Sequence, residues 1–329
     1  MPDRPTRRRV LRIFAAAAMA GAGWPARAQD NYEWRGIAMG ADACIRFSGV
    51  DSATARAAAD LAVAEIERLE RALSLFRDDS EICRLNRDGI LPLPGADLRH
   101  ALQLALAVAR VSGGLFDPTV QALWETHVDW FALRPDAGLP PAHLIAQARR
   151  KVGWRNIACA ADAIRLGEAQ RITLNGLGQG YVTDRVADLL RMHGLKHVLV
   201  DLGEQRALGP RDDAGPWLIE RPGAAPIGLA GGALATSEGA GFVFGADGDA
   251  HHLFDPRSGR SAAVWRRLTV HHRSAALADA LSTALYAASA DEIAAVATQI
   301  PGVVVWATDT GGHNHRWICA PVEGLVGEL

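Results

Sequence analysis

The sequence has no excess of basic charge. Its 35 Lys and Arg stand against 37 Asp and Glu, a formal net charge of −2. That balance argues against a surface built for nucleic acid or anionic membranes. No apolar run approaches the ~18 residues that a membrane-crossing helix requires, so no stable membrane insertion is expected. Cysteine is scarce and scattered: Cys44, Cys83, Cys159 and Cys319 form no C-x-x-C pair, which argues against a zinc site. Disulfide pairing and free thiols both stay open. No G-x-S-x-G elbow occurs. The nearest run, Ala235-Thr236-Ser237-Glu238-Gly239, lacks the first glycine, so a serine hydrolase of that type is not indicated. No internal repeat of ~20–50 residues is visible, which argues against a solenoid or propeller.

What is present starts at the N-terminus. Thr6-Arg7-Arg8-Arg9-Val10-Leu11-Arg12 precedes an apolar run over residues 13–23, and Ala26-Arg27-Ala28 follows as a small-residue exit. Charged start, apolar middle and small exit describe a secretory signal and not a membrane span. The paired arginines point to the twin-arginine route. Residues 1–28 are therefore expected to be cleaved, leaving a periplasmic domain over residues 29–329. Without that segment Lys+Arg falls from 35 to 29 and Asp+Glu from 37 to 36, leaving a charge near −7. Hydrophobic residues make up 49% of the chain, which suits a globular protein with a large core.

Periodicity places the elements. Residues 36–47 alternate as an opening strand. Residues 52–76 read as one long helix, with Ile66, Leu69, Leu73 and Phe76 at three- and four-residue steps. A short helix is expected within residues 79–86, and another over 98–111, closed by Gly113-Gly114. Residues 135–141 and 210–226 are proline-rich and read as loops or insertions. Residues 171–174 are expected as a strand, 175–180 as a glycine loop, 181–193 as a helix closed by Gly194, and 197–202 as a strand, together a βαβ-like unit. Residues 268–272 read as a strand feeding a helix around 279–283, and 303–307 with 317–320 as a final hairpin. Strands and helices interleave without strict alternation, the pattern of an α+β fold.

Several segments carry chemistry. Ala278-Asp279-Ala280-Leu281-Ser282-Thr283-Ala284-Leu285 reads as a helix of small and apolar residues. Asp279 and Thr283 stand four apart and share one face. A carboxylate and a hydroxyl make half a site for Mg²⁺, which takes one or two protein oxygens and fills the rest with water and phosphate oxygens. The plainer reading is the polar side of an amphipathic helix. Asn175-Gly176-Leu177-Gly178-Gln179-Gly180 can bring backbone N–H groups to an anion at a helix start. It fails as a dinucleotide fingerprint, because Tyr181 stands where the third glycine belongs. Gly114-Leu115-Phe116-Asp117-Pro118-Thr119-Val120 holds an Asp-Pro step that fixes extended backbone. It reads as a wall gripping a planar ligand or as a connector. His251-His252-Leu253-Phe254-Asp255-Pro256-Arg257-Ser258-Gly259 sets an imidazole three residues before a carboxylate. That spacing suits proton transfer, with Arg257 able to clamp a phosphate, or else a polar turn. His271-His272 read as strand residues rather than ligands.

Taken in order, Met39-Gly40, Leu73-Ser74 with Asp79-Ser80-Glu81, the run from Gly114 to Val120, the loop from Gly176 to Tyr181 with Asp184, Thr236-Ser237, His252 to Gly259, and Ala278 to Thr283 resemble the ApbE family of flavin transferases. The resemblance runs from Met39 to about Leu285. It implies an α+β, T-fold-like architecture of mixed sheets and packed helices, with a flavin site in a cleft between two halves. It implies Mg²⁺-dependent transfer of FMN from FAD to a Thr or Ser hydroxyl of a periplasmic acceptor flavoprotein, releasing AMP. It implies metal binding by Asp279, Thr283 and the Gly176 carbonyl, with Ser282 where some relatives carry another ligand. Flavin contacts are implied from Met39, Phe76, Leu115, Phe116, Asp117, Thr173, Gln179, Leu253 and Phe254. His252 and Asp255 are candidates for taking the acceptor's proton, as base or orienting pair.

The chain departs from the common family pattern at Thr173, where aspartate is frequent, and at Gln179, where a lysine or an acid is frequent. Glu204 and Glu238 both replace a usual glycine. Facing a pyrophosphate, each glutamate would repel it by ~1 kcal/mol or more in a partly screened site; facing solvent, each costs little. The competing reading is a non-catalytic FAD-binding or maturation protein. A nicotinamide oxidoreductase built on the glycine loop is disfavoured by Tyr181.

Overall fold

The structure is a computed structural model, and it describes residues 31–212, 215–221, 223–245, 250–319 and 324–326. The expected signal segment, residues 1–28, lies outside the described residues. Eight strands form one sheet in strict chain order: β1 (Tyr32–Ala38), β2 (Ala41–Phe47), β3 (Val198–Asp201), β4 (Gln205–Leu208), β5 (Gly232–Glu238), β6 (Trp265–His272), β7 (Val304–Asp309) and β8 (Asn314–Ile318). Every neighbouring pair is antiparallel. The helices are α1 (Ser52–Leu73), α2 (Glu81–Asp88), α3 (Ala96–Val111), α4 (Gln121–Leu133), α5 (Ala142–Arg149), α6 (Gly178–Met192), α7 (Ala275–Leu285) and α8 (Ala290–Ala297).

Strand alternation sorts the side chains into two layers. Val198, Val200, Ala235, Leu268, Val270 and Val305 face a core shared with α1, α3, α6 and α7. Their neighbours Leu199, Leu234 and Trp306 face a second core. That core is closed by a three-stranded sheet of Trp217–Arg221, Ala224–Leu229 and Leu325–Val326. The α+β expectation matches this arrangement. Among the described residues no helix is long and apolar enough to cross a membrane. All four cysteines are free, and burial pushes the Cys44 thiol up to about 11.

Several boundaries differ from the periodic reading, each for a local reason. The long helix stops at Leu73, because Ser74 turns extended and leaves Phe76 in the following turn. Residues 36–47 belong to two strands, split where Met39 and Gly40 take positive φ of 52° and 82°. Residues 210–226 hold most of a hairpin. Residues 171–174 form no strand, so the βαβ unit does not exist. Their backbone is satisfied by other partners. Ile172 N–H donates to Asn86 Oδ1 at 2.7 Å, and Asn86 Nδ2 donates to the Ile172 carbonyl at 2.8 Å. Thr173 N–H donates to the Pro118 carbonyl at 2.7 Å. An asparagine side chain can stand in for a strand neighbour without leaving a periodic signature.

Candidate active site at the glycine loop

The site forms where two helices start against each other. Gly180, in the first turn of α6, sits so close to α7 that a Cβ there would overlap the Ala275 carbonyl. The exposed first-turn N–H groups of both helices need acceptors, and each helix supplies one to the other. Asp279 of α7 accepts from Gly180 N at 3.0 Å. Asp184 of α6 accepts from Ala275 N at 2.8 Å and Ala276 N at 3.0 Å. Each carboxylate lies one turn along its own helix from the contact. Gly180→Ala is therefore expected to force the helix starts apart. The expected cost is about 1–3 kcal/mol, seen as a lowered Tm in thermal unfolding.

Asp279 is only 4% exposed. Burial, with the nearby Asp184 carboxylate adding to it, pushes its carboxyl up to about 7 despite the Gly180 N–H. Among the described residues no cation pairs with it, so the buried carboxylate lacks a counter-charge. The donors beside it are hard oxygens. Thr283 lies one turn further along α7, and the Gly176 backbone presses against it. A Cβ on Gly176 would stand 3.1 Å from Thr283 Oγ1 and 3.2 Å from the Phe116 ring. A carboxylate, a hydroxyl and a backbone carbonyl suit a small hard cation. Ser282, grouped with the metal ligands from the sequence, is turned elsewhere. Its hydroxyl donates to the Asp279 carbonyl at 3.0 Å and lies 2.8 Å from Ser237 Oγ of β5. Adjacent helical residues point ~100° apart, so Thr283 and Ser282 serve different faces.

Most of the expected flavin contacts converge on the same loop. Met39 Cε reaches within 3.4 Å of where a Gly178 Cβ would be, and Glu70 holds the strained Met39 by accepting its N–H at 2.8 Å. Phe76 lies under the Met39-Gly40 turn, 2.9 Å from a Cβ placed on Gly40. Phe116 touches Gly176, and Thr173 is tied to the same segment through Pro118. Gln179 lies over Gly203 in the β3–β4 turn. Leu115 is buried in the main core. Asp117 is spent on structure: it accepts from Thr119 N at 2.8 Å, Thr119 Oγ1 at 2.5 Å and Trp154 N at 3.0 Å. Burial raises its pKa even so.

The histidine segment leads into a hairpin of Phe254–Asp255 and Arg260–Ser261. His252 Nδ1 lies 3.2 Å from the Phe242 carbonyl, and burial pushes its pKa down to about 4. The ring is thus neutral at pH 7. With Nδ1 donating to Phe242, Nε2 is the nitrogen that can accept a proton. Asp255 does not orient it. That carboxylate accepts from Arg257 N at 3.0 Å and Nε at 2.9 Å. Arg257 is no free phosphate clamp either, since it also bonds Glu292 at 2.7 Å and the Ala287 carbonyl at 2.8 Å. Ala287 lies in the turn that follows α7, so Arg257 ties the hairpin to the C-terminal end of the helix that carries Asp279 and Thr283. Leu253 packs in the main core. Phe254 belongs to a separate ring cluster, 4.8 Å from His127 and 6.0 Å from Phe244.

The two glutamates part company. Glu238 alternates with Ser237 along β5 and so lies on the sheet face away from α7. There it pairs with Arg267 of β6 at 3.0 Å. It is close to a cavity of about 460 Å³ lined by Arg221, Arg267, Trp306 and Arg316, which none of the site residues above lines. Glu204 is buried on the site side, where one oxygen accepts from Thr236 N at 3.3 Å. Burial first, then the Asp279 and Asp201 charges, raise its pKa well above the usual carboxylate range. Sequence reasoning missed the parts played by Glu70, Asn86 and Asp184. Asp184 was visible as a marker, but its spacing gives no sign that it faces residues 275 and 276.

Comparison with known proteins adds independent findings. The ApbE family profile matches residues 39–306. A protein named FAD:protein FMN transferase from Treponema pallidum is 26% identical over 292 residues, covering 78% of this chain and 78% of that protein. One of the same name from Vibrio cholerae is 28% identical over 268 residues, covering 75% of this chain and 78% of it. In three dimensions the chain superimposes on the ApbE protein of Thermotoga maritima with a TM-score of 0.75 at 24% identity, over 87% of this chain and 97% of that one. The flavinyl transferase ApbE of Pseudomonas stutzeri in its apo form gives 0.75 at 24% identity, over 89% and 97%. The structural likeness, at that identity, speaks for the fold.

Proposed function

The chain is a member of the ApbE family, and from that premise we propose that it transfers FMN from FAD to a Thr or Ser hydroxyl of a periplasmic acceptor flavoprotein, releasing AMP. The observation that carries this reading is the buried, uncompensated carboxylate of Asp279 beside Thr283 and the Gly176 backbone, at the head of a glycine-started helix. The names of the relatives support the flavin chemistry. The periplasmic location rests on the pattern of residues 1–28.

In the proposed reaction the acceptor oxygen forms a bond to the flavin-side phosphorus. The bond from that phosphorus to the bridging oxygen breaks, and the bridging oxygen leaves with AMP. The acceptor's proton must go to a base. Asp279, Thr283 and the Gly176 carbonyl would hold Mg²⁺, which when bound neutralises charge building on the phosphoryl oxygens. Met39, Phe76 and Phe116 supply apolar surface beside the loop for the isoalloxazine. His252, neutral and with Nε2 available, is our candidate for receiving the proton; Asp255 serves to hold the hairpin through Arg257. The alternative of a non-catalytic FAD binder drew on Gln179, Glu204 and Glu238. It loses weight because Glu238 lies on the far face of the sheet and Glu204 is held towards its neutral form.

The test is direct. Purified protein with FAD, Mg²⁺ and an acceptor domain should yield acceptor carrying covalent FMN by mass spectrometry, with AMP released and both lost on chelation. Absence of covalent flavin, where a known transferase labels the same acceptor, would defeat the proposal.

A further inference from the structure

We propose that Asp184 is the positioning residue of this site: its carboxylate clamps the first turn of α7 onto α6 and thereby fixes the direction in which Asp279 and Thr283 face the glycine loop. The effect on metal affinity rests on the Mg²⁺ reading above; the effect on the helix rests on geometry alone.

Four donors converge on the Asp184 carboxylate. Oδ1 accepts from Ala275 N at 2.8 Å and from Arg206 Nη1 at 2.6 Å. Oδ2 accepts from Ala276 N at 3.0 Å and from Ser274 Oγ at 2.6 Å. The Arg206 pair is largely buried, at 12% and 14% side-chain exposure, and Arg206 reaches on to Asp188 Oδ1 at 3.0 Å. Both carboxylate oxygens are used, each accepting from one backbone N–H of α7 and one side-chain donor, with the Arg206 guanidinium as the partner charge. Without this clamp the first turn keeps its own cap, Ser274 Oγ accepting from Leu277 N at 3.2 Å. That bond closes the helix on itself but does not fix its rotation against α6.

Rotation is what the site is sensitive to. Side-chain tips ride ~5–6 Å from a helix axis, so a turn of ~20° moves an oxygen by about 2 Å. Metal–oxygen bonds tolerate only ~0.2 Å. Asp279 returns the contact by accepting from Gly180 N through Oδ2. The two carboxylates thus lock the helix starts reciprocally, and Oδ1 of Asp279 remains for a cation.

Asp184→Asn, Asp184→Glu and Asp188→Asn separate positioning from stability. Asp188→Asn also removes one Arg206 partner but touches nothing on α7. In Asp184→Asn, the Mg²⁺ Kd by calorimetry should weaken about 10–100-fold, and the rate should recover at high Mg²⁺, so the Mg²⁺ requirement changes more than kcat. Asp184→Glu keeps the charge and shifts the carboxylate by one methylene. It should weaken Mg²⁺ binding with Tm near wild type, which covers the case in which the asparagine variant folds poorly. In metal-free protein, amide hydrogen exchange over residues 275–281 should quicken in both Asp184 variants and stay unchanged in Asp188→Asn. Equal exchange and equal Mg²⁺ affinity across all three would overturn the proposal. If wild type takes no Mg²⁺, the metal reading alone falls, and the exchange comparison still decides whether Asp184 clamps α7.

Discussion

Asp279→Asn should abolish FMN transfer, lowering kcat/KM by about a thousandfold or more, while making the metal-free protein more stable above neutral pH. The two effects share one cause. The wild-type carboxyl is buried with no cation beside it among the described residues, and its pKa is pushed up to about 7 from an ordinary 3.8. The folded chain therefore holds this proton more tightly than the unfolded chain. Stability from the group is complete below the unfolded value and is lost as pH rises through about 7. A shift of that size corresponds to on the order of 4 kcal/mol. Asparagine cannot ionise, yet its Oδ1 can still accept from Gly180 N, so it escapes the loss. It also removes the one negative ligand a cation would meet. Mg²⁺ should raise the Tm of wild type more at pH 8 than at pH 5.5, because it competes with the proton for the same oxygens. The variant should show neither the pH slope nor the Mg²⁺ response. An Asp279→Asn protein that still labels an acceptor would remove Asp279 from the mechanism.

The reading of the sequence and the structure agree where the signal is local and diverge where it comes from distant backbone. The i,i+4 pair of Asp279 and Thr283 is legible because a helix puts those positions on one face whatever surrounds it. Helices α1, α3 and α6 are legible from apolar spacing and from Gly113-Gly114 and Gly194 at their ends. The bond between Ser282 and Ser237 of β5 is not legible, because neighbouring positions in a motif say nothing about which face each serves. Residues 171–174 looked like a strand for their composition, yet their ladder is supplied by an asparagine 86 positions away. The joint roles assigned to His252 and Asp255 came from a three-residue spacing. In the fold that spacing spans the start of a hairpin, and Arg257 reaches Asp255 from two residues on. The pairing of Asp184 with the first turn of α7 links residues about 90 apart and has no trace in sequence pattern.

Glu204→Gln is expected to stabilise the metal-free protein by about 1–3 kcal/mol at pH 9, several degrees in Tm, and by little at pH 5. Glu204 is 6% exposed and accepts from Thr236 N, a bond the amide oxygen of glutamine can keep. Its pKa is raised by burial and then by Asp279 and Asp201, so this group too contributes most at low pH and loses that contribution as pH rises. Two buried carboxyls this close do not both ionise easily. Burial and the neighbouring charges bias Glu204 towards its neutral form, which does not oppose a phosphate or a cation at Asp279. The substitution for the usual glycine then costs the chain stability rather than turnover. Thermal unfolding of wild type and Glu204→Gln at pH 5, 7 and 9 measures this directly. The gap between them should widen with pH, and FMN transfer at pH 7 should be the same in both. A gap independent of pH would mean that Glu204 is ionised throughout and compensated by a cation. Loss of transfer in the glutamine variant would instead give Glu204 a part in the reaction itself.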